Sequence, residues 1–250
     1  MGNNLRMTDE AVAQAVVALC RNELPDLSAW VEPGGHHDSL ALCVVNSIQS
    51  MGVRFGSVST VVKRYRDKRP GMADTDGVAE LLTTFDERNG IGGWAKEIGN
   101  KHRTSTRAGA PLKAEAVRQA AAWLQEAGVR STSDLRALDA DQLDTVKAGW
   151  CKVPGQRSGI SWRYFLMLAG VPGVKPDRMI CRFVAAATGQ PVRSISPRVA
   201  EQAVEGAAVL LAVPANVLDH NIWRWESGRT RRHRVPAAAA RRSVPSPDPV

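Results

Sequence analysis

Cysteine is scarce and widely spaced in this chain: Cys20, Cys43, Cys151 and Cys181 stand far apart with no CxxC pair. That spacing argues against a structural zinc or an iron–sulfur cluster and leaves reduced thiols as the reading, with no metal site assigned. Long apolar runs are also missing, since no stretch approaches 18 uncharged apolar residues. The opening MGNNLRMTDE has no positive segment followed by an apolar one. A soluble, cytoplasmic protein without a membrane partner is therefore expected, nucleoid-associated if bacterial. Period-two alternation is nearly absent, so a sheet-based fold is disfavoured. No internal repeat is apparent.

What the chain does have is a sizeable apolar fraction and an excess of base. Its 250 residues are 44% apolar, enough for one good-sized core or two small lobes. The formal charge is +8 and the isoelectric point about 9.7, which favours an anionic partner such as nucleic acid. Residues 229–250 hold six arginines against Asp248, a net +5 that leaves +3 for residues 1–228. This basic, proline-bearing tail has no helical face and is expected to be disordered.

The rest reads as helices separated by glycine. Thr8 is placed to cap a helix carrying Val12, Ala15, Val16, Leu19 and Cys20, and Asp38 to cap LALCVVNSIQSM, which stops at Gly52. Further helices are expected at about 57–67, 75–88, 111–127, 139–150, 159–169, 177–188, 197–212 and 214–226. Pro111 and Gly128 bracket one of them in the proline-first, glycine-last order of helix ends. The glycine-rich stretch 89–109 reads as a surface loop with at most one short helix around Trp94. The fold class is all-α.

One segment carries chemistry. From Ala140 the chain runs helix, turn with Gly155 and Gly159, helix, and then Asp177 opening another helix in PDRMICRFV. A tight turn between helices offers backbone N–H groups and a helix N-terminus to a phosphate. Such contacts position DNA without reading its sequence.

VPGQRSG and PDRMICRF resemble the hairpin and the catalytic-aspartate segment of the helix-hairpin-helix DNA glycosylase superfamily. LALCVVNSIQSMGVRFGSVSTVVKRY, PLKAEAVRQAAAWL and LDHNIWRW are similar to its first barrel helices, middle helix and closing element, so the likeness covers roughly residues 36–226. The resemblance implies two helical lobes with a helix-hairpin-helix motif: 36–165 ending in the hairpin, and 1–35 with 166–228 carrying the aspartate, with a cleft between. It implies Asp177 as catalyst, Gly155, Gln156, Arg157 and Gly159 as DNA-gripping turn, Gln49 and Arg54 as contacts to the vacated base stack, and Arg182 as the family's arginine.

This sequence departs from the pattern at two points. Arg157 stands where the family hairpin has a second glycine, which puts a monovalent cation held by hairpin carbonyls in doubt. Gly159 stands where bifunctional members have their Schiff-base lysine, so a monofunctional enzyme using water is implied, with no other cofactor. Its partner would be double-stranded DNA with a flipped base, bound by a monomer, in base-excision repair or defence against modified DNA. The developing sugar cation calls for a carboxylate, the task given to Asp177. Trp162, Tyr164 or Trp223 would stack the flipped base. The basic clusters at 63–69 and at Lys101, His102, Arg103 and Arg107 would supply phosphate contacts.

Blander readings stand beside these. Asp177 would equally serve as a helix cap, Gln49 as a hydrogen-bonded core residue, the aromatics as packing, and the 63–69 run as a solvated face. His36, His37 and Asp38 give no metal site, because adjacent histidines point apart. Alternatives to the enzyme are a catalytically inactive hairpin DNA-binding module and a helical protein-interaction scaffold.

Overall fold

The structure, a computed structural model, describes residues 8–53 and 55–232. Arg54 and the tail beyond Arg232 lie outside the described residues. Those described form twelve α-helices and two short 3-10 turns, Leu27–Ala29 and Val192–Ser194, with no strand among them. The all-α expectation holds. The chain divides into two compact units, residues 33–175 and residues 1–32 with 176–250.

The 33–175 unit is built on α2 (Leu40–Gln49), whose residues are buried on every side except at half-exposed Asn46. A helix apolar all round belongs in the middle of a bundle, and α3 (Phe55–Lys68), α4 (Val78–Asp86), α6 (Lys113–Glu126) and α9 (Ile160–Leu168) pack against it. Helices α5 (Ile91–Glu97), α7 (Thr132–Ala137) and α8 (Ala140–Trp150) complete the unit. Its core joins Leu40, Leu42 and Ile48 of α2 to Val117 and Leu124 of α6, and to Trp150, Trp162 and Phe165. The expected lobe boundary at residue 165 falls inside α9, and the structure corrects it. Phe165, Leu166 and Leu168 all belong to this core, so the unit runs on to Lys175.

Local signals placed most helix starts correctly, with instructive differences. Ser39, not Asp38, caps α2, its Oγ accepting from Leu42 N at 3.2 Å while donating to Ala73 O at 2.7 Å. Pro111 is not in α6 at all, because its carbonyl accepts from Thr104 N at 2.9 Å and Leu112 becomes the extended N-cap residue. The stretch 89–109 has the one short helix expected around Trp94, α5, and residues 101–109 are exposed apart from half-buried Thr104, but α5 itself is core rather than surface. Trp94 on α5 is fully buried, stacked on Phe85 at 4.6 Å with its indole N–H donating to Thr84 Oγ1 at 3.0 Å. Helix α7 was not anticipated, although Ser131 and Asp134 form a capping box there.

The other unit packs α1 (Asp9–Glu23) on α10 (Arg178–Thr188) and α11 (Pro197–Leu211), with α12 (Ala215–Arg232) against α10 and α11. Thr8 caps α1 as expected, its hydroxyl accepting from Ala11 N at 3.2 Å. Asn221 on α12 brackets the extended segment at Val31, accepting from its N–H at 3.2 Å and donating to its carbonyl at 3.1 Å. Helix α12 continues to Arg232, past the Gly228 after which a tail was expected.

Candidate functional site

The turn between α8 and α9 is a compact device closed by its own residues. Gln156 N donates to Val153 O and Gly159 N to Gln156 O, each at 3.0 Å. The Gln156 side chain, 2% exposed, donates from Nε2 to Pro154 O at 3.0 Å. Gln156 is therefore a brace inside the turn, which corrects its expected contact with DNA. Gly155 and Gly159 have φ of +80° and +73°, the left-handed region that penalises any residue with a Cβ. A lysine at 159 would be strained there, which gives a physical reason for glycine.

Arg157 and Lys152 are exposed on this turn. Gly159 serves as N-cap of α9 without a side chain to donate to, and Ser161 N and Trp162 N find no acceptor among the described residues. Ser161 and Trp162 are both buried, so the polar groups this turn presents outward are the Arg157 guanidinium and the Lys152 ammonium. The carbonyls proposed for a monovalent cation, Val153 O, Pro154 O and Gln156 O, already accept from turn donors. No group of three His, Cys, Asp or Glu side chains suited to a metal occurs among the described residues.

Asp177 opens α10 with extended backbone, and its Oδ1 accepts from Met179 N at 2.7 Å and Ile180 N at 3.4 Å. Among the described residues no hydrogen bond reaches Oδ2, so one carboxylate oxygen caps the helix and the other is available. A cap and an uncommitted carboxylate oxygen thus coexist in one half-buried side chain. Burial, and then the negative charge of Asp177, push the Cys181 thiol up, so this cysteine is held as a neutral thiol. Arg182 is half-buried on α10, with Nη1 4.0 Å from Met179 Sδ.

Gln49 is 1% exposed at the end of α2, and its Oε1 accepts from Asn100 Nδ2 at 3.0 Å. Its Nε2 is buried without a partner. Buried in this way it cannot also fill a base stack, and the structure corrects that expectation in favour of the core reading. Arg54 lies outside the described residues. Beneath Gln49 is a residue the sequence did not flag. Lys113, 3% exposed, donates from Nζ to Gln49 O at 2.9 Å and Met51 O at 2.5 Å, answering the unpaired carbonyls at the α2 C-terminus. Burial, and then neighbouring Lys175, lower this amine to about 8.

The aromatic candidates separate. Trp162 is buried in a cluster with Trp150 and Phe165 at 5.8 and 5.4 Å, so it packs the core and offers no face to a base. Tyr164 is half-buried, with the Lys175 ammonium 3.7 Å over its ring. Trp223, on α12, stacks near-parallel to His220 at 6.4 Å. The basic run of α3 is matched by acids: Lys63 by Asp67, Arg66 by Asp74, Lys68 by Glu97 and Arg69 by Asp76. Arg64 donates instead to Gly99 O at 3.0 Å, so four of the five bases at 63–69 are paired with an acid and the face is largely neutralised.

Residues 14–227 match the family described as Domain of unknown function (DUF8548). The chain belongs to that family. No curated protein and no solved structure matches it. The family match takes in the turn, Asp177, Lys113 and every candidate aromatic. No helix among the described residues is long and apolar enough to cross a membrane.

Proposed function

We propose that this chain is a monofunctional DNA glycosylase of the helix-hairpin-helix kind, acting as a monomer on double-stranded DNA from which a damaged or modified base has been flipped. The observation that carries the reading is the α8–turn–α9 hairpin, with left-handed Gly155 and Gly159 and exposed Arg157, followed in the chain by Asp177 with one carboxylate oxygen uncommitted.

The turn takes a backbone phosphate, fixing the duplex without reading it. Extruding the base costs a few kcal/mol of stacking. As the C1′–N bond breaks, the electron pair leaves with the base and positive charge develops on the sugar. Asp177 Oδ2 faces that charge as an anion and orients a water. The water oxygen bonds to C1′, its proton passes by way of Asp177 or solvent to the departing base, and an abasic sugar remains. Oδ1 stays on the α10 amides throughout, so the carboxylate is held in place by the helix it caps. With glycine at 159 no amine stands where bifunctional members have their Schiff-base lysine, so a covalent intermediate is not expected and the strand is left intact.

The test is incubation with duplexes carrying uracil, alkylated purines, oxidised bases or hypermodified pyrimidines, followed by hot alkali. Abasic sites on at least one duplex, with no borohydride-trapped adduct, are expected. Tight DNA binding with silence across the whole panel would replace the enzyme with a hairpin DNA-binding module.

A further inference from the structure

Residues 102–113 fold back as a short antiparallel ribbon. Lys113 N donates to His102 O at 2.8 Å, Thr104 N donates to Pro111 O at 2.9 Å, and Arg103 bridges Leu112. The Arg103 guanidinium donates to Ala110 O, tying the far end of the ribbon to its first strand. At the tip, Ala110 N donates to Arg107 O at 3.2 Å. The ribbon rests on the hairpin turn: a Cβ built on Gly155 would lie 2.8 Å from Thr104 Cβ and 3.1 Å from its carbonyl oxygen. Only glycine at 155 lets the two backbones approach this closely.

That contact joins two segments of one sign. Residues 98–114 and 145–176 contain no aspartate or glutamate, yet they carry Lys101, Arg103, Arg107, Lys152 and Arg157 among their bases. All five are exposed, and none forms an ion pair among the described residues. Of the bases at 63–69, by contrast, Lys63, Arg66, Lys68 and Arg69 each have an acid, while Arg64 donates to Gly99 O at 3.0 Å. Positive charge without internal partners is concentrated where ribbon meets turn.

We propose that the ribbon is a second DNA-contacting element, forming with the hairpin turn one continuous surface for the phosphates of duplex DNA, to which Lys101 and Arg107 contribute directly. This deepens the glycosylase reading and rests on it. Thr104 against Gly155 sets the spacing of the two backbones, so the ribbon that carries Lys101 and Arg107 lies beside the turn that carries Arg157. A cationic surface of this kind releases counterions for each phosphate it takes.

The experiment is salt-dependent binding of the full-length chain to a labelled, undamaged duplex. Lys101→Ala/Arg107→Ala is expected to bind at least tenfold more weakly at fixed salt. Its log–log salt slope should be shallower by about 2, at roughly 0.9 per phosphate contact. Lys63→Ala/Arg66→Ala should match wild type in affinity and slope. If the ribbon variant binds as wild type does while Arg157→Ala weakens binding, the ribbon is outside the interface and the hairpin reading survives. Absence of DNA binding by the wild type removes both. Displacement of DNA by polyglutamate at equal charge concentration would reduce the surface to a general polyanion patch and overturn the assignment to DNA.

Discussion

The cap that Asp177 forms and the chemistry proposed for it differ in what they tolerate. A cap needs only an acceptor oxygen, which asparagine supplies as well as aspartate; the proposed chemistry needs a full negative charge. Asp177→Ala should therefore lower stability by about 1 kcal/mol, whereas Asp177→Asn should melt with the wild type. Asp76 is the opposite case, wholly structural. It is 3% exposed, takes a bidentate pair from Arg69 at 2.8 Å each and a hydrogen bond from Tyr65 at 2.9 Å. Burial, and then Asp76, push the Tyr65 hydroxyl well above its usual range. Asp76→Ala strands these partners and should cost about 3–5 kcal/mol in urea unfolding.

His36 gives a pH dependence with a defined sign. Burial lowers it to about 4, with Arg66 and His37 reinforcing and Asp74 opposing. Its Nε2 is 3.0 Å from Asn46 Nδ2, an arrangement that requires the neutral ring to accept. The unfolded chain, titrating near 6.5, binds more protons than the native state between those values. The contribution is thus complete above pH 6.5 and is lost as pH falls towards 4, by roughly 3 kcal/mol at most. Urea midpoints of wild type and His36→Gln should converge over that window; a constant difference would contradict the assignment.

Among the elements, the hairpin was readable because glycine at 155 and 159 is demanded by backbone conformation, and such demands are local. The helix starts at Thr8 and Asp139 were readable for the same reason, since a cap is satisfied within three residues. The roles of Gln156 and Gln49 were not, because whether a glutamine faces solvent or braces a turn depends on what packs over it. Trp94 misled in the same way: a short helix around it was expected at the surface, and only Phe85, on another helix, makes it core. The Gln156 brace carries its own prediction. Because the turn closes on its own donors, DNA affinity at fixed ionic strength should be the same in potassium and in lithium. A potassium requirement would show that hairpin carbonyls hold an ion after all.

For the molecule as a whole, the charge balance pointed to an anionic partner but not to the surface that meets it. Net charge is a sum over the chain, whereas the partnering of α3 bases by Asp67, Asp74, Asp76 and Glu97 depends on the fold. The fold class followed from helical periodicity, while the boundary between units depended on which core α9 joins. The proposed activity depends on the Asp177 charge, and one comparison isolates it: the rate at which wild type and Asp177→Asn create alkali-labile sites in the same modified duplex, at matched DNA occupancy. The asparagine protein should bind and melt as the wild type does, yet release base about 10²–10⁴-fold more slowly. Equal rates from the two proteins would remove Asp177 from the chemistry.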